Sequence, residues 1–179
     1  LTRAYDADQA AVSPTRILEL NQMALDYYTG CFRGSWAQTY LTERVGTDLT
    51  GDPYVNPGYA PAGWTSLVSH LRRQGVTDLE LTESGLASTT RNGRAIDRFR
   101  DRLVFPIPRR TETGDPELLG FVGRRHPHMQ DKDAGPKYLN TPDTALFHKG
   151  AQLYTVREDL LEKGATPVLV EGPLDALAV

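Results

Sequence analysis

Residues 86–107 read LASTTRNGRAIDRFRDRLVFPI, and here the pattern of the chain changes period. Asn92-Gly93 is a strong hairpin signal, because both residues tolerate the positive φ that a tight two-residue turn needs. Leu103-Val104-Phe105-Pro106-Ile107 then reads as a strand, whose proline suggests a sheet edge or a bulge. Upstream, the apolar residues recur at helical spacing. Downstream, they come in short runs separated by polar turns. The passage therefore divides a helical half from a strand-rich half and predicts an α+β fold with a small, mostly antiparallel sheet.

Working back from Leu86, Thr77 and Glu80 form a capping box for a short helix that stops near Gly85. Trp64, Leu67, Val68 and Leu71 make the stripe of another helix, ended by Gly75. Residues 46–63, rich in Gly and Pro, read as a long ordered loop. Ser35 opens a helix through Trp36, Tyr40, Leu41 and Val45, with Gly46 as its stop. Ser13-Pro14 is an N-cap followed by proline at the first helical position. Ile17, Leu20, Ala24, Tyr27 and Tyr28 follow it, and Gly30 ends that helix. Residues 1–12 are polar and aperiodic and read as a frayed end.

Working forward, Leu118–Val122 is a second short strand. "RRTETGDPE" is a solvated turn, and "RHPHMQDKDAGP" (125–136) a mobile polar loop. Thr155-x-x-Glu158 is a second capping box, opening a helix to Lys163-Gly164. Val168-Leu169-Val170 is a fully apolar strand that delivers Glu171 to its tip, with a helix from Pro173. Such a strand and helix begin a doubly wound α/β unit. The expected units are the frayed end 1–12, one domain over 13–166, and the start of an α/β unit over 167–179.

The chain has 179 residues and a net charge of −3. Its charge is unevenly spread: residues 91–149 hold 12 Lys/Arg against 8 Asp/Glu, whereas residues 1–90 hold 6 against 10. Anions respond to local potential rather than to the total. There is no run of apolar residues long enough to span a bilayer and no signal peptide, which predicts a cytoplasmic protein with no membrane partner. The single cysteine, Cys31, excludes internal disulfides and reads as a small buried hydrophobe.

Four segments carry candidate chemistry. Glu171 at a strand tip, with Asp175 in the next helical turn, fits a general base or metal ligand equally with a helix cap. Arg98, Arg100 and Arg102 would share one face of an extended segment and follow a phosphate backbone. A solvated edge with Asp–Arg pairs accounts for them better. His126, His128, Asp131 and Asp133 have metal-ligand chemistry, but no second cluster completes a site. In "GPKYLNTPDTALFHKG" (135–150), Lys137 and Lys149 flank a Thr141-Pro142 turn that lets them converge on one anion, and Tyr138 offers a ring to a base. A surface lysine beside a packed tyrosine is the plainer alternative.

Together, "ILELNQMALDYY", "GYAPAGWTSL", "DRFRDRLVFPI", "GFVGR", "PKYLNTPDTALFHKG" and "VLVEGPLDALA" resemble, in order, the bacterial DnaG-type DNA primases. The resemblance runs from about residue 14 to the last residue. It implies the primase core's N-terminal subdomain followed by the first strand and helix of a Toprim module. It implies synthesis of short RNA primers on single-stranded DNA from ribonucleoside triphosphates with Mg2+ or Mn2+, and a replicative helicase as partner. It places Glu171 as the catalytic, metal-proximal carboxylate and Asp175 beside it. It assigns Arg98, Arg102, Arg124, Lys137, Tyr138, Asn140 and Lys149 to template and nucleotide. The Asp-x-Asp metal pair has no match here, so the 179 residues alone are expected to be inactive and to hold no tightly bound metal. Val122 in "GFVGRR", Pro173 in "EGPLD" and the long 125–136 loop depart from the family pattern. They suggest a divergent primase of a phage, plasmid or conjugative element. The rival reading is a non-catalytic single-stranded-DNA-binding region of a relaxase or helicase-type transfer protein.

Overall fold

The computed structural model describes residues 12–110, 116–129, 135–151, 163–164, 166 and 168–177. Helix α1 (Pro14–Gly30) starts where the sequence places it, with the Ser13 hydroxyl accepting the Arg16 N–H. Val12, expected in a frayed end, is instead buried in the same core cluster as Ile17. The two occupy the positions of a hydrophobic staple, one before the cap and four into the helix. Helix α2 (Trp36–Val45) is capped by Ser35 and closed by left-handed Gly46. Helix α3 runs over Ser66–Arg72 and α4 over Asp78–Glu83, the latter with both halves of the Thr77–Glu80 capping box formed.

A two-stranded hairpin, β2 (Ala87–Thr89) and β3 (Ala95–Asp97), forms around Asn92-Gly93 as predicted, but its turn is wider than two residues: the Thr90 N–H donates to the Arg94 carbonyl, and of the pair only Gly93 has positive φ. The main antiparallel sheet has the order β1-β4-β5-β6, with β1 Gly58–Ala60, β4 Arg102–Arg110, β5 Pro116–Arg125 and β6 Tyr138–Asn140. Strand β1 lies inside the segment expected to be loop and pairs only with Arg102–Val104. Pro106 thus sits where β4 has become an edge on that side. A bulge follows at once: Ile107 pairs with Gly120 and Pro108 with Leu118, leaving Leu119 over. The extra residue reverses the facing of the strand, so Leu119 and Phe121, two positions apart, pack on opposite sides of the sheet.

Two apolar clusters result. One, around Leu20, Tyr28, Leu71, Phe99, Val104 and Phe121, holds α1, α3 and α4 on one face of the sheet. The other, around Phe32, Leu41, Leu103, Phe105, Val122 and Leu174, holds α2 and the final helix α5 (Pro173–Ala176) on the opposite face. Val122, which departs from the family's glycine, is thereby a core residue. The strand expected at Val168–Val170 has no ladder partner among the described residues, and Leu169 is 90% exposed. A fully apolar strand needs sheet neighbours to bury it, and none is described here. The capping box at Thr155–Glu158, the helix it opens, and Asp131 and Asp133 lie outside the described residues.

Candidate functional site

The arginines of "DRFRDR" do not form a row. The chain bends between β3 and β4, Asp101 adopts φ 50°, and the three side chains part. Arg98 donates from Nε and Nη2 to the Asn140 carbonyl at 3.2 and 2.9 Å. Arg100 donates to the Asp97 carbonyl and lies over the Trp64 ring, 4.6 Å from its centroid. Arg102 is buried and donates from Nη1 to the carbonyls of Gly123 and Pro136, both at 3.0 Å. These are clamps on backbone, neither a solvated edge nor an open phosphate rail. Gly123 permits the Arg102 clamp: a Cβ there would stand 2.7 Å from the Phe99 ring and 3.0 Å from Arg102 Cδ.

Burial pushes the Arg102 guanidinium down to about 10, and the nearby charges of Arg125, Arg100, Arg124 and Arg98 push the same way. The like charges therefore lie close enough to feel one another, which concentrates positive potential at this end of the sheet.

On the α2 side, Arg124 and Lys137 meet around Tyr138. The Arg124 guanidinium stands 5.5 Å from the Tyr138 centroid and 5.8 Å from that of Tyr40, and Lys137 Nζ stands 5.8 Å from Tyr138. Such contacts are ordinary cation–π pairs. Arg124 is only 9% exposed. Its Nη1 donates to the Arg125 carbonyl at 2.8 Å, while its buried Nε has no hydrogen-bond partner. Burial raises the Tyr138 hydroxyl's pKa, and Arg124 opposes that rise.

Helix α5 arrives at the same place. A Cβ on Gly172, its N-cap, would sit 3.2 Å from the Tyr138 ring. Glu171, one residue earlier, is exposed at this edge. Asp175 lies 3.4 Å from Arg44 of α2. Of the residues singled out from sequence, the structure gathers Arg124, Lys137, Tyr138 and Asp175, with Glu171 exposed one residue before Gly172. It sets Arg98 with the Asn140 carbonyl and buries Arg102 beneath. Lys149 is exposed at the start of a 3-10 turn, and its backbone N–H donates to Asp143 Oδ1 at 3.3 Å. No described contact joins it to Tyr138.

Sequence reading missed Tyr40 and Arg44, which it saw only as part of a helix, and misplaced Trp64. Trp64 precedes α3 rather than joining its buried stripe and is 65% exposed. It opens a cleft shared with Arg72, Asn92 and Arg94. His126 meets Trp36 edge to face, ring centroids 4.4 Å apart, and its Nδ1 accepts the His128 N–H at 3.2 Å. Among the described residues no group of three His, Cys, Asp or Glu side chains is arranged to hold a metal, Glu171 and Asp175 included. Cys31 is half-buried and its thiol is raised by burial, which fits an unreactive residue. No helix among the described residues is long and apolar enough to cross a membrane.

The family described as "DNA primase catalytic core, N-terminal domain" matches residues 29–159. The chain is 42% identical over 166 residues to a DNA primase of Deinococcus radiodurans, covering 91% of this chain and 27% of that protein. The RNA polymerase domain of Mycobacterium tuberculosis primase DnaG, solved with a double-stranded DNA oligomer carrying a 6-nucleotide overhang, superposes with a TM-score of 0.65 at 38% identity. That match covers 76% of this chain and 41% of the other. A DnaG primase catalytic domain bound to single-stranded DNA superposes with a TM-score of 0.69 at 30% identity, over 91% of this chain and 51% of its own. The chain thus spans about a quarter of the length of the curated primase it matches. With the motif order, the sheet and the family match in agreement, this chain belongs to the DnaG-type primases, as the N-terminal part of their catalytic core.

Proposed function

We propose that residues 13–166 form one wall of a primer-synthesising cleft and that residues 167–179 begin its Toprim module. In this reading Arg124 and Lys137 meet phosphates of the template or the incoming ribonucleoside triphosphate, and Tyr138 stacks beside them. Lys149, further along the same motif, extends the basic wall. Arg98 and Arg102 shape it from beneath by fixing the carbonyls of Asn140, Gly123 and Pro136. Trp64, with Arg100 over it, offers a second stacking surface for single-stranded DNA. The observation that carries the proposal is the convergence of the basic cluster and α5 on the Tyr138 ring. Phosphate-binding cations and the Glu171–Asp175 pair come together there from segments far apart in sequence.

Family membership brings a requirement for Mg2+ or Mn2+, which would stabilise charge on the transferring phosphoryl group. Glu171 and Asp175 do not complete a cation site, and Asp175 is engaged by Arg44. A metal held by Glu171 would need carboxylates besides those described, and without the family's Asp-x-Asp pair the 179 residues are expected to make no primers. The replicative helicase and the cytoplasmic setting belong to the same proposal.

The test is primer synthesis by the intact protein on single-stranded DNA with ribonucleotides and Mg2+ or Mn2+. Arg124→Ala and Lys137→Ala should each lower product at least tenfold, Lys137→Ala with little change in melting temperature. If the intact protein binds single-stranded DNA but makes no product, the non-catalytic reading replaces this one.

A further inference from the structure

Tyr40 and Arg44 are one helical turn apart on α2, so they project from the same face. Each reaches a different half of the candidate site. The Tyr40 centroid lies 5.8 Å from the Arg124 guanidinium carbon and the Tyr138 centroid 5.5 Å, so that guanidinium has two phenol rings as neighbours. Arg44 spans to Asp175, a contact between residues 131 positions apart in the chain. Beneath them Leu41 of α2 and Leu174 of α5 share one apolar cluster, which fixes the helix that both side chains spring from.

The plain account of Arg44 is a cation in the last turn of a helix, favoured by the helix dipole. That account needs no partner and does not explain the reach to α5. As a contribution to stability the pair is minor, since both side chains are about half exposed. As a constraint on where the Asp175 carboxylate points, it has consequences that stability does not measure. Tyr40 acts similarly. Arg124 keeps one unpartnered buried Nε and has Nη1 bonded to backbone, so its remaining contacts in the described structure are with the two tyrosines.

We infer that α2 is a positioning brace for the site, Tyr40 seating Arg124 and Arg44 seating Asp175. The basic cluster and α5 thereby keep a fixed spacing. This inference rests on the proposed primer-synthesising cleft, and neither Tyr40 nor Arg44 needs to touch substrate.

The experiment uses the intact primase and two separate readouts. Oligonucleotide affinity at low salt is measured for Tyr40→Ala, Tyr40→Phe, Arg124→Ala and the Tyr40→Ala/Arg124→Ala pair. Tyr40→Ala should weaken binding about threefold, as loss of one cation–π contact would. Tyr40→Phe should restore most of it, and Tyr40→Ala should add nothing once Arg124 is gone. For the other arm, Arg44→Ala should lower kcat about fivefold while leaving oligonucleotide affinity and melting temperature in place, with partial recovery in Arg44→Lys. The brace is overturned if the Tyr40 and Arg124 effects add, if Arg44→Ala leaves kcat unchanged, or if its loss of activity follows a fall in melting temperature. If Arg124→Ala itself leaves affinity unchanged, the functional reading of the cluster falls instead.

Discussion

The two faces of the main sheet are built from alternating residues of the same strands, yet they do different work. On the α1 face, Tyr28, Phe99 and Phe121 meet edge to face, with centroids 5.5 to 6.5 Å apart, and the cluster is closed by aliphatic side chains. On the α2 face the cluster is rimmed by half-buried polar aromatics: Trp36, Tyr40, Tyr59 and Tyr138. Two of them spend their polar atoms on Asp101, Trp36 Nε1 at 2.6 Å and the Tyr59 hydroxyl at 2.8 Å. The first face is held mainly by packing, with few polar groups buried in it, such as the Asn21 amide that donates to the Leu118 carbonyl. The second must hold cations and carboxylates at a water boundary, so its residues are chosen for an apolar body and a polar tip.

Truncation should therefore hurt most on the first face. Phe121→Ala removes a fully buried ring that touches both Tyr28 and Phe99. The expected loss is about 3–5 kcal/mol, enough to leave a marginal domain largely unfolded, as circular dichroism with urea titration would show. A loss below about 1 kcal/mol would mean that this cluster is not the stabilising centre.

Next comes Arg102, which belongs to the scaffold although its sequence neighbourhood looks like a binding surface. Arg102→Ala leaves the Gly123 and Pro136 carbonyls without their donor in a buried place. About 2 kcal/mol of stability should go. Arg124→Ala should cost much less stability and more binding. If the two substitutions have the same profile, the distinction between clamp and ligand drawn here is wrong.

What the sequence allowed to be read follows the range of the interaction. Ser13, Ser35 and the Thr77–Glu80 box were legible because a cap bonds within three residues. Asn92-Gly93 was legible because the turn is local. The fates of Arg98, Arg100 and Arg102 were not, since their acceptors lie up to 42 positions away or on a bend that no periodicity announces. Trp64 fitted a helical stripe by spacing, but α3 begins two residues later. Of the candidate site, the motif supplied Arg124, Lys137, Tyr138 and Glu171. Tyr40 and Arg44 were hidden because their partners, Arg124 and Asp175, are distant in sequence.

A pH titration offers a third, smaller effect, again on the α1 side. Glu80 accepts the Thr77 N–H at 2.8 Å and pairs with Arg16 at 2.7 Å. The backbone bond to Thr77 and then the Arg16 bond hold its carboxyl down at about 2. A carboxylate depressed by folding adds stability above its ordinary range near 4.5 and loses it as pH falls towards 2. Glu80→Gln should therefore remove roughly 1 kcal/mol at neutral pH and flatten the acid limb between about pH 4.5 and 2. An unchanged acid limb in Glu80→Gln would show that the cap and the Arg16 pair contribute nothing to it.

The smallest structural effect is expected at Lys149, which marks how far the basic wall on the α2 face extends. Lys137 is tied to the cluster through Tyr138, whereas Lys149 is exposed on a separate turn whose backbone is anchored by Asp143. Neither lysine stabilises the fold, so Lys137→Ala and Lys149→Ala should each shift stability by less than about 0.5 kcal/mol. Both should still show in binding. A lysine that meets a phosphate releases counterions, and its removal lowers the slope of log affinity against log salt by about 1. If both lysines reach one anion, as the turn at Thr141-Pro142 suggests, each single variant lowers the slope and the double variant lowers it further. If only Lys137→Ala lowers it, the binding wall ends at Tyr138 and Lys149 lies outside it. Fluorescence anisotropy of the intact protein with a labelled oligonucleotide, over a salt series, decides between the two.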